Sequence, residues 1–313
     1  MNRKEYLRKF LEDYLKKIGL NLDDEGFSII LRELNRFAYN PKEEGVEVVY
    51  TSDGSLTLIH RKYGEPYHSQ TAGAIRETIW KFIKPSRILE KAKTRKVIRI
   101  LDIGFGLGYN LAIALKHLWE INPHIRIEVF SFEKELLQDI PLLPEPYREI
   151  HKWLLDRTPE CEDDRFKFKI FLGDARKEIR KIGNFKADAV FHDAFSPYKN
   201  PELWTLEFLS LVKERIDEYG YWVSYSSSLA VRKALVLLKF KVGSSKELGR
   251  KRKGTVASLK ANVPPIDEDE LRKLVLSPFS IPFRDETLDS EPLEILTDYL
   301  LRVYKYLPKN FTY

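Results

Sequence analysis

The chain has 313 residues, 43% hydrophobic and 12% aromatic, enough apolar content to bury one large core but not a string of independent domains. Its single cysteine, Cys161, excludes an internal disulfide and any cysteine-cluster metal site; flanking acids at Glu160, Glu162, Asp163 and Asp164 work against a reactive thiolate. The net charge of +6 is concentrated: Lys241 to Lys260 hold seven Lys/Arg against one acid, Glu247, which leaves the rest of the chain neutral. A basic patch on a neutral body suits either a polyanion docking site or a solvated loop.

In chain order, apolar residues at helical spacing (Tyr6, Leu7, Phe10, Leu11, Tyr14, Leu15, Ile18) followed by Gly19 predict a first helix, and residues 27–38 a second. After Pro41 the texture turns strand-like, with Val46 to Thr51 and Ser55 to Ile59 joined by an Asp53-Gly54 turn, a hairpin pattern. From Val97 onward strands and helices alternate, as in a parallel sheet covered on both faces. Strands are expected at 98–103, 127–132, 168–172, 187–192 and 221–225, with helices at 110–119, 176–182, 202–216 and 229–238 between them. A closing antiparallel hairpin is expected from 241–245 and 255–259, around the turn Gly249-Arg250-Lys251-Arg252-Lys253-Gly254. The last fifty residues begin as a proline-punctuated loop and end in an amphipathic helix near 292–306. The expected architecture is therefore α/β and Rossmann-like, a mostly parallel seven-stranded sheet with a terminal antiparallel hairpin. Residues 1–60 form a cap, 61–260 the main domain and 261–313 a C-terminal extension. No run approaches the roughly 18 apolar residues of a membrane span, so the expectation is a cytoplasmic protein that binds neither membrane nor metal.

The chemistry concentrates at strand ends. Asp102-Ile103-Gly104-Phe105-Gly106-Leu107-Gly108 falls where the first main strand gives way to a helix, at the carboxyl edge where open α/β sheets bind cofactors. A dinucleotide fold would want a third glycine where Tyr109 stands, and would aim amides at a pyrophosphate. An acid beside the turn better suits S-adenosyl-L-methionine, which carries a cationic amino group and a sulfonium. The second strand ends at Phe132-Glu133-Lys134, 25 residues beyond Gly108, where a carboxylate can accept both ribose hydroxyls of an adenosyl group. The third ends at Gly173-Asp174-Ala175, within reach of an adenine amine, and the fourth at His192-Asp193-Ala194-Phe195. Expected cofactor contacts are Asp102, Gly104, Gly106, Gly108, Asn110, Glu133, Lys134, Asp174, Ala175 and Asp193. After Asp193 the segment Phe195-Ser196-Pro197-Tyr198-Lys199-Asn200-Pro201-Glu202-Leu203-Trp204 spends aromatics beside the expected methyl donor. Phe195 and Tyr198 suit stacking on an extruded base, with Pro197 and Lys199 beside them, whereas Trp204 suits packing onto the sheet.

These residues resemble the methyltransferase module of the MnmC-type tRNA wobble-uridine modification enzymes, in particular its stand-alone forms. The resemblance runs from about Asp53 to Asp285 and is carried by Phe191-His192-Asp193-Ala194-Phe195-Ser196-Pro197, by Lys199-Asn200-Pro201-Glu202-Leu203-Trp204 and by Gly249-Arg250-Lys251-Arg252. Tyr67-His68-Ser69, Gly73-Ala74-Ile75-Arg76-Glu77 and Pro282-Phe283-Arg284-Asp285 add to it, and bring Tyr67 and Ser69 into the expected cofactor set. The family often has Leu where this chain has His192. The resemblance implies methyl transfer from S-adenosyl-L-methionine to the exocyclic amine of 5-aminomethyl-(2-thio)uridine at tRNA position 34. Asp193 would orient the amine, and Arg250, Lys251, Arg252 and Lys253 would hold phosphates of the anticodon stem. Without the FAD-dependent oxidase that many members carry, a separate enzyme is expected to supply the amine. Two other readings remain open: an aminopropyltransferase related to spermidine synthases, against which the basic stretch argues, and a non-catalytic RNA-binding protein.

Overall fold

The computed structural model describes residues 2–248 and 253–306. Two helices open the chain, α1 (Arg3–Lys17) and α2 (Asp24–Phe37). Asn2 starts α1 with a reciprocal capping box to Glu5, and Asp23 caps α2 by accepting from the Gly26 amide. The buried stripe Leu7, Leu11 and Leu15 follows from the helical spacing of the sequence. A small antiparallel sheet follows, β1 (Val46–Tyr50), β2 (Leu56–His60) and β3 (Glu65–Pro66), with Gly54 in the turn at φ +82, where an L side chain would be strained.

A helical run then leads into the main domain: α3 (Ala74–Glu77), a π-helical segment at Thr78–Ile83, α4 (Lys84–Ser86) and α5 (Ile88–Ala92). The main sheet comprises β4 (Val97–Ile103), β5 (Arg126–Glu133), β6 (Glu160–Glu162), β7 (Phe166–Leu172), β8 (Ala187–His192), β9 (Ile216–Ser224), β10 (Lys241–Ser244) and β11 (Thr255–Ser258). Its spatial order is β10-β11-β9-β8-β4-β5-β7-β6. The five strands β7, β5, β4, β8 and β9 run parallel, while β11, β10 and β6 are antiparallel to their neighbours. Among the described residues the main sheet has eight strands where seven were expected; the extra one, β6, is three residues long and pairs with the outer edge of β7. The chain moves from β4 outward through β5 to β7, then returns to the other side of β4 at β8. Between the ends of β4 and β8 lies the switch point where such sheets open a crevice.

Helices α6 (Tyr109–Ile121), α7 (Arg148–Leu155), α8 (Ala175–Glu178), α9 (Leu206–Lys213) and α10 (Leu229–Leu237) cover the sheet. The helix expected over 202–216 is shorter. A 3-10 turn at Pro201–Leu203 precedes it, Thr205 caps α9 by accepting from the Phe208 amide, and Ile216 already belongs to β9. In the C-terminal extension, α11 (Glu268–Leu276) interrupts what the sequence suggested was loop. Its signal was present, since Asp267 caps it by accepting from the Glu270 amide. The last helix among the described residues is α12 (Pro292–Tyr304), which packs its buried face (Leu293, Leu296, Tyr299, Leu300) with α1 and α2 in one continuous core under the sheet. No helix among the described residues is long and apolar enough to cross a membrane.

Candidate active site

A cavity of about 1510 Å³ opens at the switch point. Its floor is the glycine turn after β4. The Asp193 amide donates to the Ile103 carbonyl at 2.8 Å, which draws the two strand ends so close that a Cβ on Gly104 would sit 2.8 Å from the Asp193 carbonyl oxygen. At Gly106, φ +52, a Cβ would press to 3.0 Å from the Tyr67 ring. At both positions a side chain would collide, so the floor stays bare. Gly108, at φ +74, starts α6 behind the wall.

Glu133 lies along this floor. Its two oxygens accept from the Gly106 amide at 2.8 Å and the Lys134 amide at 2.7 Å, and burial pushes its pKa up. A carboxylate fixed by two backbone amides keeps further lone pairs for a diol. Tyr67, Ser69, Lys134, Asp174 and Ala175 line the same cavity. Bare glycines, a fixed carboxylate facing the same space and a flat aromatic above them fit the adenosyl and ribose parts of S-adenosyl-L-methionine.

The remaining strand-end acids diverge. Asp102 is fully buried behind the floor, accepts from the Ser131 hydroxyl at 2.6 Å, and is pushed by burial up to about 8. Asp174 does line the cavity, but its oxygens are taken by the Arg176 side chain at 2.7 to 3.1 Å. Burial raises its pKa, and Arg176 outweighs that and holds it below the usual carboxylate range. Arg176 also donates to Asp285 at 2.7 Å and to the Ser290 carbonyl at 2.9 Å, so the C-terminal extension is tied directly to the cavity wall.

Asp193 lines the cavity directly beside the glycine floor. Its pKa is driven well above the ordinary range, by burial first and then by Glu77. One oxygen accepts from the Asn110 amide nitrogen at 2.6 Å, and Asn110 in turn accepts from the Thr78 hydroxyl at 2.6 Å. Asn110 and Thr78 are both buried behind the wall, so Asn110 reaches the site through Asp193. Glu77, on the cavity side, accepts from the Ser69 amide at 2.8 Å and brings a second carboxylate to this end.

At the other end stand aromatic rings. Phe195 stacks on Tyr63 with centroids 4.4 Å apart, and meets Tyr67 edge-on at 5.0 Å and His60 at 5.6 Å. Glu65 holds this arrangement by accepting from the Ser196 amide at 2.9 Å and hydroxyl at 2.5 Å. Glu202 also faces the cavity, with one oxygen buried and without a hydrogen-bond partner; burial lifts it to about 7.

Of the residues expected at the base, Phe195 is in the cavity while Pro197, Tyr198 and Lys199 turn away from it. Tyr198 stacks on Phe37 of α2 at 4.4 Å and meets Phe283 and Tyr299 edge-on, so it is core between the cap and the C-terminal extension. Lys199 donates to the Ala38 carbonyl at 3.1 Å, and Pro197 is buried. Trp204 is fully buried and donates to the Phe195 carbonyl at 2.8 Å, packing onto the sheet as expected while bracing Phe195. His192 is a buried neutral core residue: it accepts from the Trp222 indole at 3.3 Å, and burial lowers its pKa to about 3. Of the four turn cations, Arg250, Lys251 and Arg252 lie outside the described residues; Lys253 is held by Asp267, with Glu270 at 3.8 Å. His60, Tyr63, Glu77, Thr78 and Glu202 were not singled out by the sequence as site residues. Glu77 and Glu202 lay within the quoted motifs; nothing local marked Tyr63 or His60.

A glycine floor at the switch point of this sheet, with a fixed carboxylate beside it, defines a class I S-adenosyl-L-methionine-dependent methyltransferase. Residues 138–260 match a family model described as an S-adenosyl-L-methionine-dependent methyltransferase. The crystal structure of MnmC2 from Aquifex aeolicus is 72% identical, covers 97% of this chain and 100% of that one, and superposes with a TM-score of 0.96. An uncharacterised protein of Methanocaldococcus jannaschii is 34% identical over 97% of this chain and 85% of that one. The bifunctional tRNA 5-methylaminomethyl-2-thiouridine biosynthesis protein MnmC of Leptospira interrogans is 29% identical over 66% of this chain. This chain spans about a third of that bifunctional protein's length. The chain belongs to the MnmC-type methyltransferase family, and S-adenosyl-L-methionine is its cofactor.

Proposed function

We propose that this enzyme methylates the exocyclic amine of 5-aminomethyl-(2-thio)uridine at wobble position 34 of tRNA, giving the 5-methylaminomethyl product. The observation that carries the reading is the continuous cavity in which Asp193 stands where two halves meet. It is packed against the glycine floor at Gly104 and lies two residues before Phe195 in the aromatic stack. When bound, S-adenosyl-L-methionine supplies an electrophilic methyl group on its sulfonium.

The chain's residues have three tasks. Glu133 and the bare floor at Gly104 and Gly106 fix the ribose and adenosyl end. Phe195, Tyr63 and Tyr67 offer flat faces to an extruded pyrimidine. Asp193, with one oxygen fixed by Asn110, keeps the other for an amine N–H and so aims the lone pair. Only the neutral amine can attack. A carboxylate whose pKa is well above the ordinary range is a better match to an alkylammonium than an exposed one, so Asp193 both orients the amine and accepts its proton. The aminomethyl group reaches this site already installed on the tRNA by a separate activity, in the cytoplasm.

The test is to incubate the enzyme with methyl-labelled S-adenosyl-L-methionine and tRNA bearing 5-aminomethyluridine, then digest and identify the labelled nucleoside. Label in 5-methylaminomethyluridine is expected; tRNA that stays unlabelled would refute the substrate.

A further inference from the structure

The helical run from Ala74 to Ser86 carries one face with an unusual makeup. Arg76, Trp80 and Lys84 stand four residues apart, and the contact between the last two shows that they share a side: the Lys84 ammonium sits 3.4 Å from the Trp80 ring centroid. A second ammonium, that of Lys246, reaches the same indole at 4.4 Å from the segment after β10. The two segments are fastened together where Lys81 donates to the Lys246 carbonyl at 2.7 Å. Arg87 follows at the end of α4 in a left-handed conformation, φ 55. Arg76, Lys84, Arg87 and Lys246 are all exposed, and Trp80 is half-buried.

What separates this face from ordinary charged surface is that its cations carry no side-chain ion pair among the described residues, although the Asp53 carboxylate accepts from the Arg76 amide at 3.1 Å. Among the described residues, no carboxylate pairs with Arg76, Lys84, Arg87 or Lys246. Just beyond, Lys91 and Arg95 pair with Asp188, and Arg99 with Glu128, so the chain neutralises cations nearby. Two ammonium groups drawn onto one indole gain cation–π energy but repel each other, and an anion between them would relieve that repulsion. One end meets the cavity rim, since Glu77, Lys81 and Leu248 line the cavity. In the sequence, Leu248 runs directly into Gly249-Arg250-Lys251-Arg252.

We propose that Arg76, Trp80, Lys84, Arg87 and Lys246 form a track for the phosphate backbone of the tRNA substrate beside the cavity mouth, with Trp80 offering its ring to a ribose or base. The inference rests on the tRNA reading above. It assigns positioning, not base selection, to this face, because phosphate contacts fix register without reading sequence.

The test is tRNA binding measured by fluorescence anisotropy across a salt series, for wild type and for a Lys84→Glu, Arg87→Glu double variant. A Lys9→Glu, Lys16→Glu variant makes the same charge change on exposed lysines of α1. Cofactor affinity by calorimetry reports whether each variant is folded. The track variant should bind tRNA on the order of tenfold more weakly at low salt, with a log–log salt slope smaller by about 0.7 to 0.9 for each phosphate no longer neutralised. The α1 variant should stay within about twofold of wild type. Lys84→Gln with Lys246→Gln should give a smaller loss in the same direction. Wild-type affinity and slope in the track variant would overturn the proposal, as would an equal loss in the α1 variant. If instead the wild type binds tRNA but leaves 5-aminomethyluridine unmethylated, the substrate reading falls and the track is judged on binding alone.

Discussion

Removing the Thr78 hydroxyl should slow methyl transfer although Thr78 touches no substrate. Thr78 is fully buried in the π-helical segment and donates at 2.6 Å to the Asn110 side-chain carbonyl oxygen, which obliges Asn110 to present its NH₂ group to Asp193, also at 2.6 Å. Thr78→Val keeps the shape and removes the donor. It leaves a buried acceptor unsatisfied, at a cost of about 1 to 3 kcal/mol, or a melting-temperature drop of roughly 2 to 6 °C for a chain of this size. It also frees the amide to turn. An Asn110 turned oxygen-first would replace a hydrogen bond to Asp193, worth about 1.5 to 3 kcal/mol to a charged acceptor, with repulsion. Asp193 would then be without the hydrogen bond that opposes its raised pKa, and its pKa should climb further. The assay is steady-state methylation across pH. We expect kcat to fall about tenfold or more with KM for tRNA little changed, the acidic limb of the profile to move to higher pH, and Thr78→Ser to restore most of the activity. A Thr78→Val enzyme with kcat within twofold of wild type and an unmoved pH profile would refute the relay.

Three further outcomes follow from the same geometry. Glu133→Ala should weaken S-adenosyl-L-methionine binding by about 1 to 3 kcal/mol in calorimetry, the range for hydrogen bonds to a charged group, and unchanged affinity would remove the ribose assignment. Asp193→Asn should cut turnover far more than tRNA affinity, whereas turnover within a few-fold of wild type would reduce Asp193 to a structural acid. Glu202, with burial lifting its folded pKa to about 7 from an unfolded value near 4.5, contributes stability that is complete below the unfolded value and is lost as pH rises through 7. Thermal melts should therefore show Glu202→Gln gaining on wild type between pH 5 and 8, and a constant difference across that window would contradict a carboxylate raised by burial.

Much of the site was legible because its signals are local. Gly104 and Gly106 mark a backbone that something must approach closely, and Glu133 and Asp193 follow apolar strands, so pattern alone put them on one sheet edge. The sequence by itself determined the α/β alternation, the glycine turn, the strand-end acids and the two amphipathic N-terminal helices, since each depends on periodicity or a turn within a few residues.

Only the tertiary structure decided how those acids stand to the cavity and which of their oxygens are already taken. Asp102 was turned inward to Ser131, and Asp174 was claimed by Arg176, whose other partner, Asp285, lies in the C-terminal extension. The aromatic segment was split in the same way. Phe195 stacked on Tyr63 at the cavity wall, while Tyr198, three residues on, was drawn into the core by Phe37, Phe283 and Tyr299. The physical reason is common to all of these: a side chain's role is set by the partners nearest it in space. Here those partners come from a neighbouring strand and helix (Ser131, Arg176), from the N-terminal segments (Phe37, Tyr63) and from the C-terminal segment (Phe283, Asp285, Tyr299), a meeting that no local pattern encodes.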